Sequence, residues 1–256
     1  MAVININGAD IFYETYGAAS GTPVLLIHGS TIDGATDWSD IAPALSKNYK
    51  VFVPDCRGHG HSNNPNTSYS FKELANDAAA FIRAMGYERA HVIGHSNGGN
   101  VALVILMEHP DVVQTCIPQA ANAYVTQYLI DREPWLFDPE RVKKEDPAWM
   151  NEMIALHSET NGAEYWRDLL QLTMKAIISE PNYTPEQLAK ASRPTLVIMG
   201  AEDTVNAPDK HAQFIAENIP GAELWIPEKT GHNVHKERRD EWLGRVEEFL
   251  RAKGEL

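Results

Sequence analysis

The chain alternates short, wholly apolar runs with longer stretches whose apolar positions recur every three or four residues. The runs are Pro23-Val24-Leu25-Leu26-Ile27, Val51-Phe52-Val53, His91-Val92-Ile93 and Thr195-Leu196-Val197-Ile198-Met199, with a weaker one over residues 112–117. A strand without polar alternation is covered on both faces, so these runs predict the inner strands of a mostly parallel sheet. Leu224-Trp225-Ile226 is strand-like and shorter. Near the N-terminus, Val3-Ile4-Asn5-Ile6 and Ile11-Phe12-Tyr13 flank Asn7-Gly8, a pair suited to the positive φ angles of a tight hairpin turn. Helical spacing runs over residues 71–85, with Ser70 as N-cap and Gly86 as stop, and over 100–108, 209–218 and 238–253. Strand and helix in alternation predict an α/β fold, a mostly parallel central sheet flanked by helices.

The alternation breaks over residues 120–192. No buried-strand run appears there; Pro134, Pro139, Pro147, Pro181 and Pro185 punctuate helical pieces such as Trp149-Met150-Asn151-Glu152-Met153. The stretch is too long for a bare loop. It predicts a helical cap, or lid, over 120–192, inserted into a core domain made of 1–119 and 193–256.

Composition narrows the function. Of the 256 residues, 43% are apolar and 22% charged, an ordinary globular balance. Lys and Arg number 22 against 35 Asp and Glu, a net charge of −13. A nucleic-acid binder needs clustered positive charge, and so does a protein docking on an anionic membrane; this chain has the opposite balance. No apolar window is long enough for a transmembrane helix. The two cysteines, Cys56 and Cys116, make no disulfide framework, and the N-terminus lacks the basic and apolar regions of a secretion signal. The expectation is a cytoplasmic protein acting on a small molecule.

One segment carries chemistry. Gly94-His95-Ser96-Asn97-Gly98-Gly99 follows the run ending at Ile93 and precedes the helix over 100–108. This is G-x-S-x-G between a strand and a helix, where a sharp turn lifts a serine hydroxyl clear of the sheet and sets it at a helix N-terminus. Serine needs a base. His232, after Gly231 in a loop before the last helix, is the candidate, with His235 as competitor. The base needs an orienting acid. Asp203, just past the run ending at Met199, is the candidate, with Glu202 as rival. The order Ser96, Asp203, His232 is that of a strand-turn-helix serine triad. The backbone N–H groups of Asn97 and of Ser30, in His28-Gly29-Ser30, are the expected oxyanion donors. Such chemistry needs no cofactor. His59 and His61 lack a third ligand in sequence, so no metal site is expected.

These pieces together resemble the α/β-hydrolase superfamily, and within it a serine carboxylesterase-like member. The resemblance rests on the hairpin, His28-Gly29, Asp55-Cys56-Arg57-Gly58-His59-Gly60-His61-Ser62, the serine turn, Gly200-Ala201-Glu202-Asp203-Thr204-Val205 and Gly231-His232. It spans the chain outside the insertion. Relatives with an aspartate nucleophile are set aside by Ser96. Perhydrolase-like members carry Trp after His-Gly and Met after the serine; Ser30 and Asn97 stand there in this chain. Carbon–carbon bond hydrolases of aromatic-ring breakdown often carry Trp after the histidine; this chain has Asn233, yet Gly34 with Trp38 is similar to that group's oxyanion loop. The resemblance implies a hydrolase of carboxylic esters with small to medium acyl or aryl groups, acting through an acyl-enzyme. A hydrolase of ring-fission diketones is the alternative, and a non-catalytic ligand-binding member the third. The insertion's Trp135, Trp149 and Trp166, with Trp38, are expected to line an apolar pocket over Ser96.

Overall fold

The computed structural model describes residues 2–253. β1 (Ala2–Ile6) and β2 (Ala9–Tyr16) form the antiparallel hairpin, turning at Asn7 and Gly8 with φ of 48° and 82°. Positive φ at both turn residues matches the twist of the flanking strands. β3 (Pro23–Ile27), β4 (Lys50–Pro54), β5 (Ala90–His95), β6 (Val113–Gln119), β7 (Leu196–Ile198) and β8 (Glu223–Trp225) complete one sheet, in the order β1-β2-β4-β3-β5-β6-β7-β8. β2 pairs antiparallel with β1 and β4; the remaining pairs are parallel.

The strand order reverses at β3, with β4 on one side and β5 on the other. Ile27 is level with Gly94, and His95 with Gln119. The carboxyl ends of β3, β5 and β6 therefore finish side by side, and the loops that leave them meet over one crevice, the usual ligand position in such sheets. β6 was faint in sequence because Gln114, Thr115, Pro118 and Gln119 interrupt it. In the fold it is central, and its buried polar side chains are used: Thr115 Oγ1 meets His91 Nδ1 at 2.8 Å, and Gln119 bonds on both sides.

After β3 come two short helices, α1 (Gly34–Trp38) and α2 (Ile41–Leu45). α3 (Phe71–Ala84) is capped by Ser70, whose side chain accepts from Glu73 N–H at 3.0 Å, and stops before Gly86. α4 (Asn97–Glu108) starts three residues ahead of its apolar periodicity, directly after Ser96. Between β6 and β7 lie α5 (Gln127–Leu136), α6 (Pro139–Glu145), α7 (Pro147–Asn161), α8 (Tyr165–Ile177) and α9 (Pro185–Leu188). α10 (Ala212–Asn218) is shorter than its sequence pattern; α12 (Arg239–Lys253) matches the last one, and a short α11 (Val234–Glu237) precedes it.

Alternate residues of β3 feed two cores, as the two-residue strand period requires. Leu25 and Ile27 join α3, α4 and the insertion, whose Trp166 and Leu170 are part of the same apolar cluster. Val24 and Leu26 join Trp38, Ile41, Trp242 and Phe249 on the other face. Among the described residues no helix is long and apolar enough to cross a membrane.

Candidate active site

Ser96 sits between the last residue of β5 and the first of α4 with φ 55° and ψ −120°. A non-glycine residue in that region is strained, and the surroundings must enforce it. They do so by close backbone packing. A Cβ on Gly94 would overlap the Gly98 carbonyl, and one on Gly98 would overlap the carbonyls of Ile27 and His28. Only glycine permits the turn at both places. Ser96 N–H donates to Gln119 O at 2.9 Å, and Ser96 O accepts from Asn100 N–H at 3.0 Å, so the Ser96 backbone is held on both sides.

His232 reaches the serine from the loop after β8. Its Nε2 lies 2.9 Å from Ser96 Oγ and its Nδ1 2.8 Å from Asp203 Oδ2. An ionised carboxylate only accepts, so Nδ1 carries the hydrogen and Nε2 is left to accept from the serine hydroxyl. The other carboxylate oxygen, Asp203 Oδ1, accepts from Val205 N–H at 2.8 Å and Asn206 N–H at 2.9 Å. Asp203 is buried and cannot swing. The loops that carry Asp203 and His232 are laced together, Glu202 N–H donating to Thr230 O at 2.9 Å. Glu202 itself is exposed.

A further residue in this loop escaped sequence reasoning. Glu237 accepts from Gly231 N–H at 2.7 Å and from Asn233 N–H at 3.1 Å, bracketing His232 with one carboxylate. Its position five residues after the histidine is a local signal that could have revealed it.

A cavity of about 280 Å³ opens over this chain of groups. Ser30, Ser96, Asn97 and His232 line its floor; Leu129, Leu136, Phe137, Trp149 and Ile177, all from the insertion, line its roof. Asn97 is the first residue of α4, where N–H groups have no intrahelical acceptor. Gly29 N–H is committed to Asp37 Oδ2 at 2.9 Å, which leaves Ser30 as the next donor along that loop.

The four tryptophans separate. Trp149 lines the cavity, its Nε1–H donating to Thr31 Oγ1 at 3.2 Å and its ring edge-on to Phe137. The other three do not. Trp38 is in the core against His235 and Trp242, on the far face of the sheet. Trp166, on α8, is buried in the apolar core. Trp135 is 59% exposed with Arg141 stacked on its ring. The expectation failed at these positions because an aromatic side chain earns burial anywhere in a core, and helical phase decides which way it faces.

The histidines around the site differ in role. His235 is fully buried and faces Asp37. His95 is held down to about 4 by burial, against the opposing pull of Asp37, so it is neutral at neutral pH. His59 Nδ1–H donates to Arg57 O at 3.1 Å, and His61 lies half-exposed 3.4 Å from Asp55. Ligand atoms of Asp37, His95 and His235 approach within 4.8 Å of one another, the one metal-sized grouping among the described residues.

A family model described as the alpha/beta hydrolase fold matches residues 22–175. The serine hydrolase BPHL of Homo sapiens is 27% identical over 97% of this chain and 86% of its own length. A 2-hydroxy-6-oxo-6-(2'-aminophenyl)hexa-2,4-dienoic acid hydrolase of Metapseudomonas resinovorans is 24% identical over 99% of this chain and 91% of its own. Among solved structures, a hydrolase from Pseudomonas aeruginosa PA01 superimposes with a TM-score of 0.79 at 26% identity, over 97% of both chains.

Proposed function

The chain belongs to the α/β-hydrolase fold family, and from that premise we propose that it is a serine hydrolase of carboxylic esters with small to medium acyl or aryl groups. The observation that carries this reading is the unbroken hydrogen-bonded chain from Asp203 through His232 to Ser96, with links of 2.8 and 2.9 Å. Ser96 Oγ attacks the ester carbonyl as His232 Nε2 takes its proton. The negative charge that develops on the carbonyl oxygen is received by the N–H groups of Ser30 and Asn97, each contributing on the order of 10²–10³ in rate. His232 returns the proton to the departing alcohol, and Asp203 holds the imidazole in its working tautomer and offsets its positive charge. Water then cleaves the acyl-enzyme with His232 again as base. No step calls on a cofactor.

The helices of residues 120–192 act as a cap that shapes the acyl pocket through Leu129, Leu136, Phe137 and Trp149. Cys56 and Cys116 are free thiols, which supports a reducing, cytoplasmic setting. A second reading, hydrolysis of a carbon–carbon bond in a ring-fission diketone, draws on the Metapseudomonas relative and would use the same nucleophile and base.

Turnover of p-nitrophenyl acetate, butyrate and octanoate, beside a ring-fission diketone, tests both. Ester turnover by the wild type, with kcat lowered by as much as about 10⁶-fold in Ser96→Ala, is expected. Cleavage of the diketone alone would transfer the assignment to the second reading.

A further inference from the structure

We propose that Asp37 is a positioning residue, a single buried carboxylate that fixes from behind the oxyanion loop, the nucleophile turn and the base loop together. The proposal rests on the serine-hydrolase reading and goes beyond it in naming what holds the machinery in register. Asp37 ends up at the centre through the short α1, and its side chain is fully enclosed.

Four donors converge on it. Gly29 N–H, one residue before Ser30, donates to Oδ2 at 2.9 Å. His95, one residue before Ser96, places Nδ1 2.9 Å from the same oxygen. His235, three residues after His232, places Nε2 3.2 Å from Oδ1, and Lys236 Nζ lies 3.2 Å from Oδ1 as well. The tautomers follow from the ends of the network. Trp242 Nε1–H can only donate, and it donates to Gln119 Oε1 at 2.6 Å. Gln119 therefore presents its amide N–H to His235 Nδ1, at 2.7 Å. That leaves the hydrogen of His235 on Nε2, aimed at Asp37. Gly29 N–H, His235 Nε2–H and the Lys236 ammonium are donors in any case, and an ionised carboxylate satisfies them and lets His95 Nδ1–H donate as the fourth. An asparagine would turn an NH₂ toward at least one donor. Burial acts to raise Asp37, and the hydrogen bonds it receives from His95 and His235 more than offset it, holding the carboxyl well below its usual range.

The same donors explain why the grouping is no cation site. Each imidazole nitrogen that faces Asp37 bears hydrogen, and an ammonium already occupies the open side. What the geometry supplies is three hydrogen-bonded ties, through Gly29, His95 and His235, each one to three residues from a group in the reaction, meeting at one anion. A displacement of about 1 Å at such groups can cost about 10²-fold in rate.

The network also bears on the charge of His232. His95 lies between the two, its ring centre 5.1 Å from that of His232. His232 is otherwise faced by Asp203 from the loop after β7, by Glu237 from α11, and across the cavity by Arg132 and Glu133 of α5. His211, ahead of α10, acts on Asp203. Asp37 is faced by His95, His235 and Lys236. A buried negative charge one imidazole away attracts the positive charge that the base takes on when it accepts the serine proton, and Lys236 partly cancels that attraction.

Two variants test this with p-nitrophenyl acetate, each beside wild type and Ser96→Ala. In Asp37→Asn, kcat is expected to fall roughly 10²-fold with KM within about threefold of wild type, and the acid limb of kcat/KM to move to lower pH. In Lys236→Met, a surface change, the acid limb is expected to move the other way. Opposite shifts from the two variants are a result that packing alone does not give. If Asp37→Asn fails to fold, the direction of the Lys236→Met shift carries the test. Unmoved limbs in every folded variant, with Ser96→Ala inactive, overturn the proposal. Full turnover by Ser96→Ala overturns instead the reading on which it rests.

Discussion

His157 makes stability depend on pH in a way that one substitution isolates. It projects from α7 and is buried, its Nε2–H donating to Thr31 O at 3.0 Å and its Nδ1 accepting from Gly60 N–H at 2.8 Å. This neutral tautomer fills both roles, and an imidazolium could not accept from Gly60. Burial brings the group down to about 4 from 6.5. The folded chain thus refuses a proton that the unfolded chain takes up below pH 6.5. Stability is complete above that pH and falls as the pH drops toward 4, by about 2 kcal/mol at pH 5 and about 3 kcal/mol at pH 4 from this residue alone. Glutamine can donate to Thr31 and accept from Gly60 without titrating. His157→Gln should therefore cost about 1 kcal/mol at pH 8 through imperfect packing, and be the more stable form at pH 5. Urea unfolding of both proteins at the two pH values measures the difference. The other buried histidines cancel between them. A gap between variant and wild type that stays the same, within about 0.5 kcal/mol, at pH 8 and pH 5 would refute the assignment of a neutral, proton-refusing His157.

Trp149→Ala should change the ratio of octanoate to acetate turnover by about tenfold or more, because Trp149 lines the cavity roof, whereas Trp135→Ala, on the outside of α5, should leave that ratio alone; kcat/KM over the ester series decides. Gly98→Ala drives a methyl into the Ile27 and His28 carbonyls and should cost about 3 kcal/mol or more; a fluorophosphonate probe should then label Ser96 slowly or not at all, and normal labelling with an unchanged melting temperature would contradict the packing argument.

The sheet was legible because its inner strands are buried on both faces, and burial of that kind leaves an uninterrupted apolar run, as at β3. β6 was faint for the complementary reason. Thr115 and Gln119 are as buried as any valine there, but their acceptability depends on partners contributed by His91, His235 and Trp242, far away in sequence. Local pattern cannot register a polar group that is satisfied from a distance. The helix starting at Asn97 was placed late for a related reason, since its first turn, Asn97-Gly98-Gly99, has poor helical propensity. It is helical because the strained turn at Ser96 and the close approach to β3 demand it.

The same division runs through the site. Ser96, Asp203 and His232 announced themselves because each stands in a stereotyped local setting: glycines where a Cβ cannot fit, a carboxylate just past a strand, a histidine after glycine ahead of the last helix. Asp37 sits in no such setting. Its neighbour Trp38 suggested a pocket wall and is core. What marks Asp37 is convergence: four donors from three segments, the most distant 199 residues along the chain. A buried carboxylate is costly unless every such partner is in place, so its presence behind the serine turn constrains all three segments at once. Ser96, Asp203 and His232 can be few and locally marked in sequence because the structure that holds them is neither.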